Sequence, residues 1–265
     1  MAGQSSSSEI IIDKLLLCEN ERVEEDLKAK IEKLIADHTE KSEPCHCSPT
    51  VKRIIDGFLH FKACKFDKYP EMYEELAKAQ HPKFLVFACS DSRVSPSHVL
   101  DFQPGEAFLA CNVANLVPPF NKSRYSNSGA IIEFSVTALE VENILIIRHS
   151  RCGGIARLMT LRDDSSDEND FIDDWVKIGL SAKIKVKKEF ENLPIEEQIK
   201  ICERESVNNS LSNLLSYPYV SDGYEEKKIA LWGGYYNFVD GSFELWEFKS
   251  EKPPIIIRGR IKVSP

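Results

Sequence analysis

Apolar positions recur along this chain with two different rhythms, and the change of rhythm divides it. Over residues 19–37, Val23, Leu27, Ile31, Leu34 and Ile35 return at helical spacing among charges, which predicts an amphipathic helix with one stripe to bury. A polar, proline-bounded stretch (40–49) breaks it. A second helix is predicted over 50–63, with Val51, Ile54, Ile55, Phe58 and Leu59 on one side, and a short third over 71–79 after Tyr69-Pro70.

From Phe84 onward, short apolar runs alternate with helical stretches. Strands are predicted over 84–88, 107–110 and 144–147. Helices are predicted to start near Pro96, to span 128–140 with Ile131, Ile132, Phe134, Val136 and Leu139 buried, and to open at Gly153-Gly154. Residues 112–124, with Pro118-Pro119, read as a loop, and the acidic stretch 161–174 as a solvated one. Two long helices (171–190 and 195–215) precede a strand pair (229–232 and 243–248) that brackets Gly233-Gly234-Tyr235-Tyr236 and the turn Asp240-Gly241. Ile255-Ile256-Ile257 adds an edge strand or packs on another subunit. Strands separated by helices predict an α/β fold: a mostly parallel central sheet flanked by helices, with functional groups beyond the carboxyl ends of the strands. The expected organisation is a disordered N-terminus (1–18), one domain (19–250) made of a helical arm (19–80) and an α/β core (81–250), and a tail (251–265).

Composition narrows the partners. The chain has 265 residues, 42% hydrophobic and 29% charged, enough for one large soluble domain with a real core. A net charge of -8 excludes nucleic acid as the main partner, and no apolar run approaches a membrane span. The first residues lack the basic and apolar regions of a secretory signal, and no arginine precedes Arg22, so a cytoplasmic address is expected. In a reducing compartment the eight cysteines read as ligands or free thiols rather than disulfides. Cys18, Cys64 and Cys202 fall in helical patterns as small buried hydrophobes. Cys45-His46-Cys47 has no second ligand pair at finger-like spacing and is read as outside any metal site.

The remaining chemistry sits at two strand ends. Phe84-Leu85-Val86-Phe87-Ala88 delivers Cys89, and Ile144-Leu145-Ile146-Ile147 delivers Arg148-His149-Ser150-Arg151-Cys152. Two thiolates and an imidazole are the three-ligand set of a catalytic zinc with its fourth position left for water. The same three with an unseen fourth ligand would be a structural site, but structural zinc favours loops and knuckles over the ends of apolar strands. Asp91 and Arg93 are placed to handle the proton of that water, or else to cap a helix and form an ordinary ion pair. Gly153, opening a helix, offers an unobstructed N–H to an anionic product. No G-x-G-x-x-G follows either strand, which counts against a dinucleotide site.

The pieces Phe87-Ala88-Cys89-Ser90-Asp91-Ser92-Arg93, Pro96-Ser97-His98-Val99-Leu100, Phe102-Gln103-Pro104-Gly105-Glu106-Ala107-Phe108, Cys152-Gly153-Gly154 and Gly233-Gly234-Tyr235-Tyr236 resemble the β-class carbonic anhydrases, particularly the plant type, over residues 51–248. The resemblance implies reversible hydration of carbon dioxide to bicarbonate and a proton by zinc-bound hydroxide. It implies one Zn2+ per subunit on Cys89, His149 and Cys152, an Asp91–Arg93 catalytic dyad, and substrate contacts from Gln80, Phe108 and Val113. It also implies a homodimer, which plant members build into octamers through a C-terminal strand, here 242–248.

Five positions depart from the family pattern: Cys111 for an arginine, Arg148 for the glycine before the histidine ligand, Phe134 for a tyrosine, Ile131 for an alanine, and Trp232 for a polar or basic residue. One reading is that Arg148 reoccupies the space or charge vacated at 111. The other is a remodelled pocket, with hydratase activity weakened or lost and the fold serving small-molecule binding, regulation or another zinc reaction.

Overall fold

Strands β1 (Phe84–Cys89), β2 (Ala107–Asn112) and β3 (Asn143–His149) form the parallel heart of a six-stranded sheet ordered β2-β1-β3-β4-β5-β6. This is a computed structural model that describes residues 48–258 except 123, 125 and 163–168. The helix expected over 19–37 and the Cys45-His46-Cys47 segment lie outside the described residues. β4 (Ala230–Asn237) runs parallel to β3, and β5 (Ser242–Glu247) and β6 (Ile255–Ile257) each pair antiparallel with the strand before them.

The chain divides between Ala79 and Gln80 into two units. In the first, α1 (Pro49–Phe61) starts at Ser48, whose hydroxyl accepts the Val51 N–H at 3.4 Å, with proline at the first helical position. It runs into a π-helical turn over Lys62–Phe66 and is followed by α2 (Pro70–Lys78). No residue of α1 is buried, and Ile54 and Phe58 on its apolar stripe are exposed. The rings of Phe61, Phe66 and Tyr73 pack together, with centroids 4.8–6.4 Å apart. Cys64 is only half-buried and is disulfide-bonded, contrary to the buried free thiol expected from its helical pattern.

In the second unit both faces of the sheet are covered, which is why β1 and β3 read as continuous apolar runs. Leu85, Phe87, Ile144 and Ile146 face a core completed by Val207, Leu211 and Leu214 of α8 (Ile195–Leu214) and by α4 (Ser126–Thr137). Val86, Leu145, Ile147 and Phe243 face the other side. A third cluster, around Cys89, Cys152 and Leu158, joins α5 (Gly153–Thr160), α6 (Ile172–Val176) and α7 (Leu180–Glu189) at the ligand end of the sheet.

Several local expectations shift. The helix at Pro96 is a single turn, α3 (Pro96–Val99), and an additional helix, α9 (Pro218–Glu225), follows α8. The helix expected over 171–190 is broken by a 3₁₀ turn at Lys177–Gly179. On α4 the buried stripe is Ser128, Ile132 and Ser135, so Phe134, one residue off that stripe, is 45% exposed. Gly233-Gly234-Tyr235-Tyr236 lies inside β4 rather than after it. The edge strand expected at Ile255-Ile256-Ile257 is present as the exposed β6, which leaves β5 paired on both sides. No helix among the described residues is long and apolar enough to cross a membrane.

Candidate active site

Parallel pairing of β1 with β3 brings two carboxyl ends side by side, and each ends in a ligand-type residue. Cys89 closes β1, His149 closes β3, and Cys152 caps α5 after a turn in which Arg151 takes a left-handed φ of 54°. The turn is pinned to β4. The Ser150 N–H donates to the Tyr236 carbonyl at 3.0 Å, and the Ser150 hydroxyl accepts the Phe238 N–H at 3.2 Å. Gly154 is required for close packing: a Cβ there would lie 2.7 Å from the Ala114 methyl.

The ligand atoms of Cys89, His149 and Cys152 all lie within 4.8 Å of one another, and all three residues are buried. A tetrahedral zinc, with bonds of about 2.0–2.3 Å, holds its ligand atoms roughly 3.5–3.8 Å apart, so the group suits that ion. His149 Nδ1–H donates to the Ser150 carbonyl at 2.9 Å, which leaves Nε2 buried and without a partner among the described residues. A hydrogen bond that fixes the tautomer through one ring nitrogen and leaves the other free is how metal-ligating histidines are held. The Cys89 thiol's hydrogen bond holds Cys152 below the usual thiol range, against its burial, with His149 and Arg148 adding to the pull. Cys89 is pushed up by the same bond and by burial. Cys89 and Cys152 would hold a divalent ion as thiolates, their protons released on binding.

On the outer side, Asp91 is gripped by Arg93. Arg93 Nε and Nη2 donate to Asp91 Oδ1 and Oδ2 at 2.9 and 2.6 Å, and the Arg93 N–H adds a bond of 3.0 Å to Oδ1. These bonds hold the Asp91 carboxyl well below the usual carboxylate range. Its Oδ2 stands 3.9 Å from His149 Nε2. The Arg93 guanidinium lies 4.4 Å over the Phe238 ring, which also stacks on His149. Asp91 caps no helix, since Ser95 occupies the N-cap of α3.

The inner side was not legible as a site. Glu203 on α8 is buried, accepting the Cys152 N–H at 2.9 Å and the Tyr235 hydroxyl at 2.7 Å. Burial pushes its carboxyl up. Arg204 lies 3.8 Å over the Tyr235 ring and holds Glu244 by two hydrogen bonds. A signal existed: Ile199, Cys202, Ser206 and Ser210 recur every three or four residues, which puts Glu203 beside a buried stripe. Arg148 is wholly buried, and its Nη1 donates to the Ala114 carbonyl. Ala114 and Asn115 both take left-handed φ values, 59° and 34°. For the alanine this costs about 1–2 kcal/mol, which its surroundings must supply.

Of the four residues expected at the substrate, Val113 and Gly153 border the cluster. The Val113 side chain comes within 3.2 Å of a Cβ built on Gly154, and space beside Gly153 is open. Gln80 and Phe108 do not join it within one chain. Phe108 pairs in register with Leu85, four residues or about 13 Å before Cys89, and packs on Phe134 with ring centroids 5.9 Å apart. Gln80 is exposed and precedes the starting end of β1. Of the two readings of positions 111 and 148, the one in which Arg148 takes the vacated space does not match the register. Cys111 pairs beside Ala88, which pairs beside Ile147, so its exposed side chain shares their face, and Arg148, one residue on, faces the opposite way.

The carbonic anhydrase family model matches residues 84–243. Beta carbonic anhydrase 3 of Arabidopsis thaliana is 49% identical over 227 residues, covering 85% of this chain and 87% of that protein. Among solved structures, the β-carbonic anhydrase CcaA is 26% identical, with a TM-score of 0.73 over 80% of this chain and 94% of that one. A β-carbonic anhydrase of Sordaria macrospora, described as tetrameric, shares the fold at 24% identity with a TM-score of 0.67 over 77% of this chain and 98% of that one. The chain belongs to the β class of the carbonic anhydrases, the zinc enzymes that interconvert carbon dioxide and bicarbonate.

Proposed function

We propose that Cys89, His149 and Cys152 hold one zinc per subunit in this carbonate dehydratase, with Asp91 and Arg93 as the dyad beside it. The observation that carries the reading is the buried, unpartnered His149 Nε2 facing two sulfurs, with a locked carboxylate oxygen 3.9 Å away. When bound, zinc supplies Lewis-acid activation of water at neutral pH. The chain's own residues do the rest. A carboxylate held far below its usual range is a poor proton store, so Asp91 orients a hydroxyl hydrogen by accepting it, and Arg93 fixes the direction of that acceptance. The N–H groups at the start of α5 meet the negative charge that develops on the product, with Gly153 leaving the approach open. Val113 supplies an apolar wall suited to a small uncharged substrate.

Gln80 and Phe108 serve a second copy of the chain in a homodimer, since within one chain Phe108 stands a strand's length from the ligands and Gln80 lies beyond the start of that strand. β2 is a sheet edge with Leu109 and Cys111 exposed, which gives such a copy a place to meet it; assembly beyond the dimer belongs to the same reading. Stopped-flow hydration of carbon dioxide by the zinc-loaded protein tests the activity, with Cys89→Ser as control. A rate equal to the control would overturn the reading. Mixed dimers of Gln80→Ala and Cys89→Ser chains should regain one working site, and no recovery would remove Gln80 from the pocket.

A further inference from the structure

Arg148 occupies a position that the ligands do not explain. It precedes His149 on β3, yet its side chain points to the Cys89 face of the sheet and is fully buried there. Only one of its hydrogen bonds is found among the described residues, from Nη1 to the Ala114 carbonyl, while Nε and Nη2 have no partner there. A guanidinium taken out of water with two donors unbonded is costly, so its charge and its one bond need a purpose.

Both point to the metal centre. Ala114 belongs to the left-handed turn after β2 and packs in the same buried cluster as Cys89 and Cys152. It stands two residues past Asn112, which pairs beside Cys89, and its carbonyl takes the Arg148 bond, so one turn links the arginine to the first ligand. A buried carboxyl lies on the same face: Tyr235 pairs beside Arg148 and donates to Glu203, which also accepts the Cys152 N–H.

We propose that Arg148 is a positioning residue of the metal centre: from behind the ligands it holds the left-handed Ala114–Asn115 turn against Cys89 and sets a positive charge beneath the two thiolates. It does not touch substrate and it does not replace a side chain lost at 111. The proposal rests on the assignment of Cys89, His149 and Cys152 as ligands, and Cys89→Ser tests that assignment separately, because parental zinc affinity in that variant would remove the ligand set whatever Arg148 does.

The test measures zinc dissociation constants by chelator competition, and the thiolate-to-metal charge-transfer band of the cobalt(II)-substituted protein, for Arg148→Met and Arg148→Lys. Residues that act on a metal through its ligands are commonly worth about 10–100-fold in affinity. Arg148→Met should weaken zinc binding by about that factor and shift the cobalt band, whereas Arg148→Lys, which keeps the charge and a donor, should stay within about fivefold with the parental band. Parental affinity and band in Arg148→Met would overturn the proposal, as would an equal loss in both variants, since side-chain shape alone would then account for the residue. If Arg148→Met does not fold, Arg148→Lys decides: near-parental binding supports the positioning role. A loss of about tenfold or more, or failure of that variant to fold as well, overturns it.

Discussion

The two walls around the ligands use the same side-chain chemistry to opposite ends. On the outer wall the Asp91–Arg93 pair is half open to solvent and almost completely bonded, by side-chain and backbone donors and a ring beneath the guanidinium. On the inner wall Glu203 and Arg148 are both buried and do not bond each other: each reaches a backbone group next to a ligand instead. The difference fits the roles proposed for each. A group that meets substrate and protons needs access, and access lets water screen its charge, so its direction must be fixed by multiple bonds. A group that fixes ligands gains from a low dielectric, where a single bond to a buried peptide restrains the ligand strongly.

That contrast can be broken at either wall. The largest effect is expected on the outer one: Asp91→Asn should cut the hydration rate by about 100-fold or more while leaving zinc affinity within about threefold, since proton-handling groups contribute on that scale and this one is not a ligand. Parallel loss of zinc would move Asp91 to the inner wall's role. On the inner wall, Glu203→Ala strips partners from the buried Cys152 N–H and Tyr235 hydroxyl and should destabilise the fold by roughly 2–4 kcal/mol in chemical denaturation, with Glu203→Gln milder. A loss below about 0.5 kcal/mol would mean that water reaches these donors.

The Arg157–Asp173 pair serves as a comparison away from the ligands, with an Asp173 carboxyl held well below the usual carboxylate range first by the Arg157 hydrogen bonds. A depressed folded-state value contributes stability above the unfolded value near ~3.9, and that contribution is lost as pH falls through the folded one. Asp173→Asn should therefore flatten the fall in stability between about pH 5 and pH 3, and an unchanged acid limb would show the pair to be inert. The smallest effect is expected at Phe238. Replacing its ring by leucine removes the cation–π contact under an exposed arginine, worth about 0.5–1 kcal/mol, and should lower the rate only severalfold.

The residues proposed as ligands and dyad could be picked out along the chain because they are local. A strand's apolar run ends at Cys89, another at His149, and Asp91 and Arg93 are two and four residues past the first ligand. Ile132, Leu85 and Ile146 were legible for the same reason, being fixed by the period of their own element. Phe134 was misplaced because the exposed and buried sides of α4 differ by one residue, and the apolar count alone does not choose between Phe134 and Ser135. Glu203 lies 51 residues from the Cys152 N–H it accepts, so the pairing exists only once α8 crosses the sheet.

The sequence by itself determined which residues can bind the metal and which strands carry them, because ligand chemistry and strand period are properties of short segments. The tertiary structure alone decided what stands behind those ligands. Cys111 and Arg148 look exchangeable along the chain, and parallel register puts them on opposite faces of one sheet, because successive side chains of a strand alternate sides. That parity sends an arginine inward, onto the carbonyl of a left-handed alanine beside Cys89, and leaves the cysteine exposed near the sheet's edge.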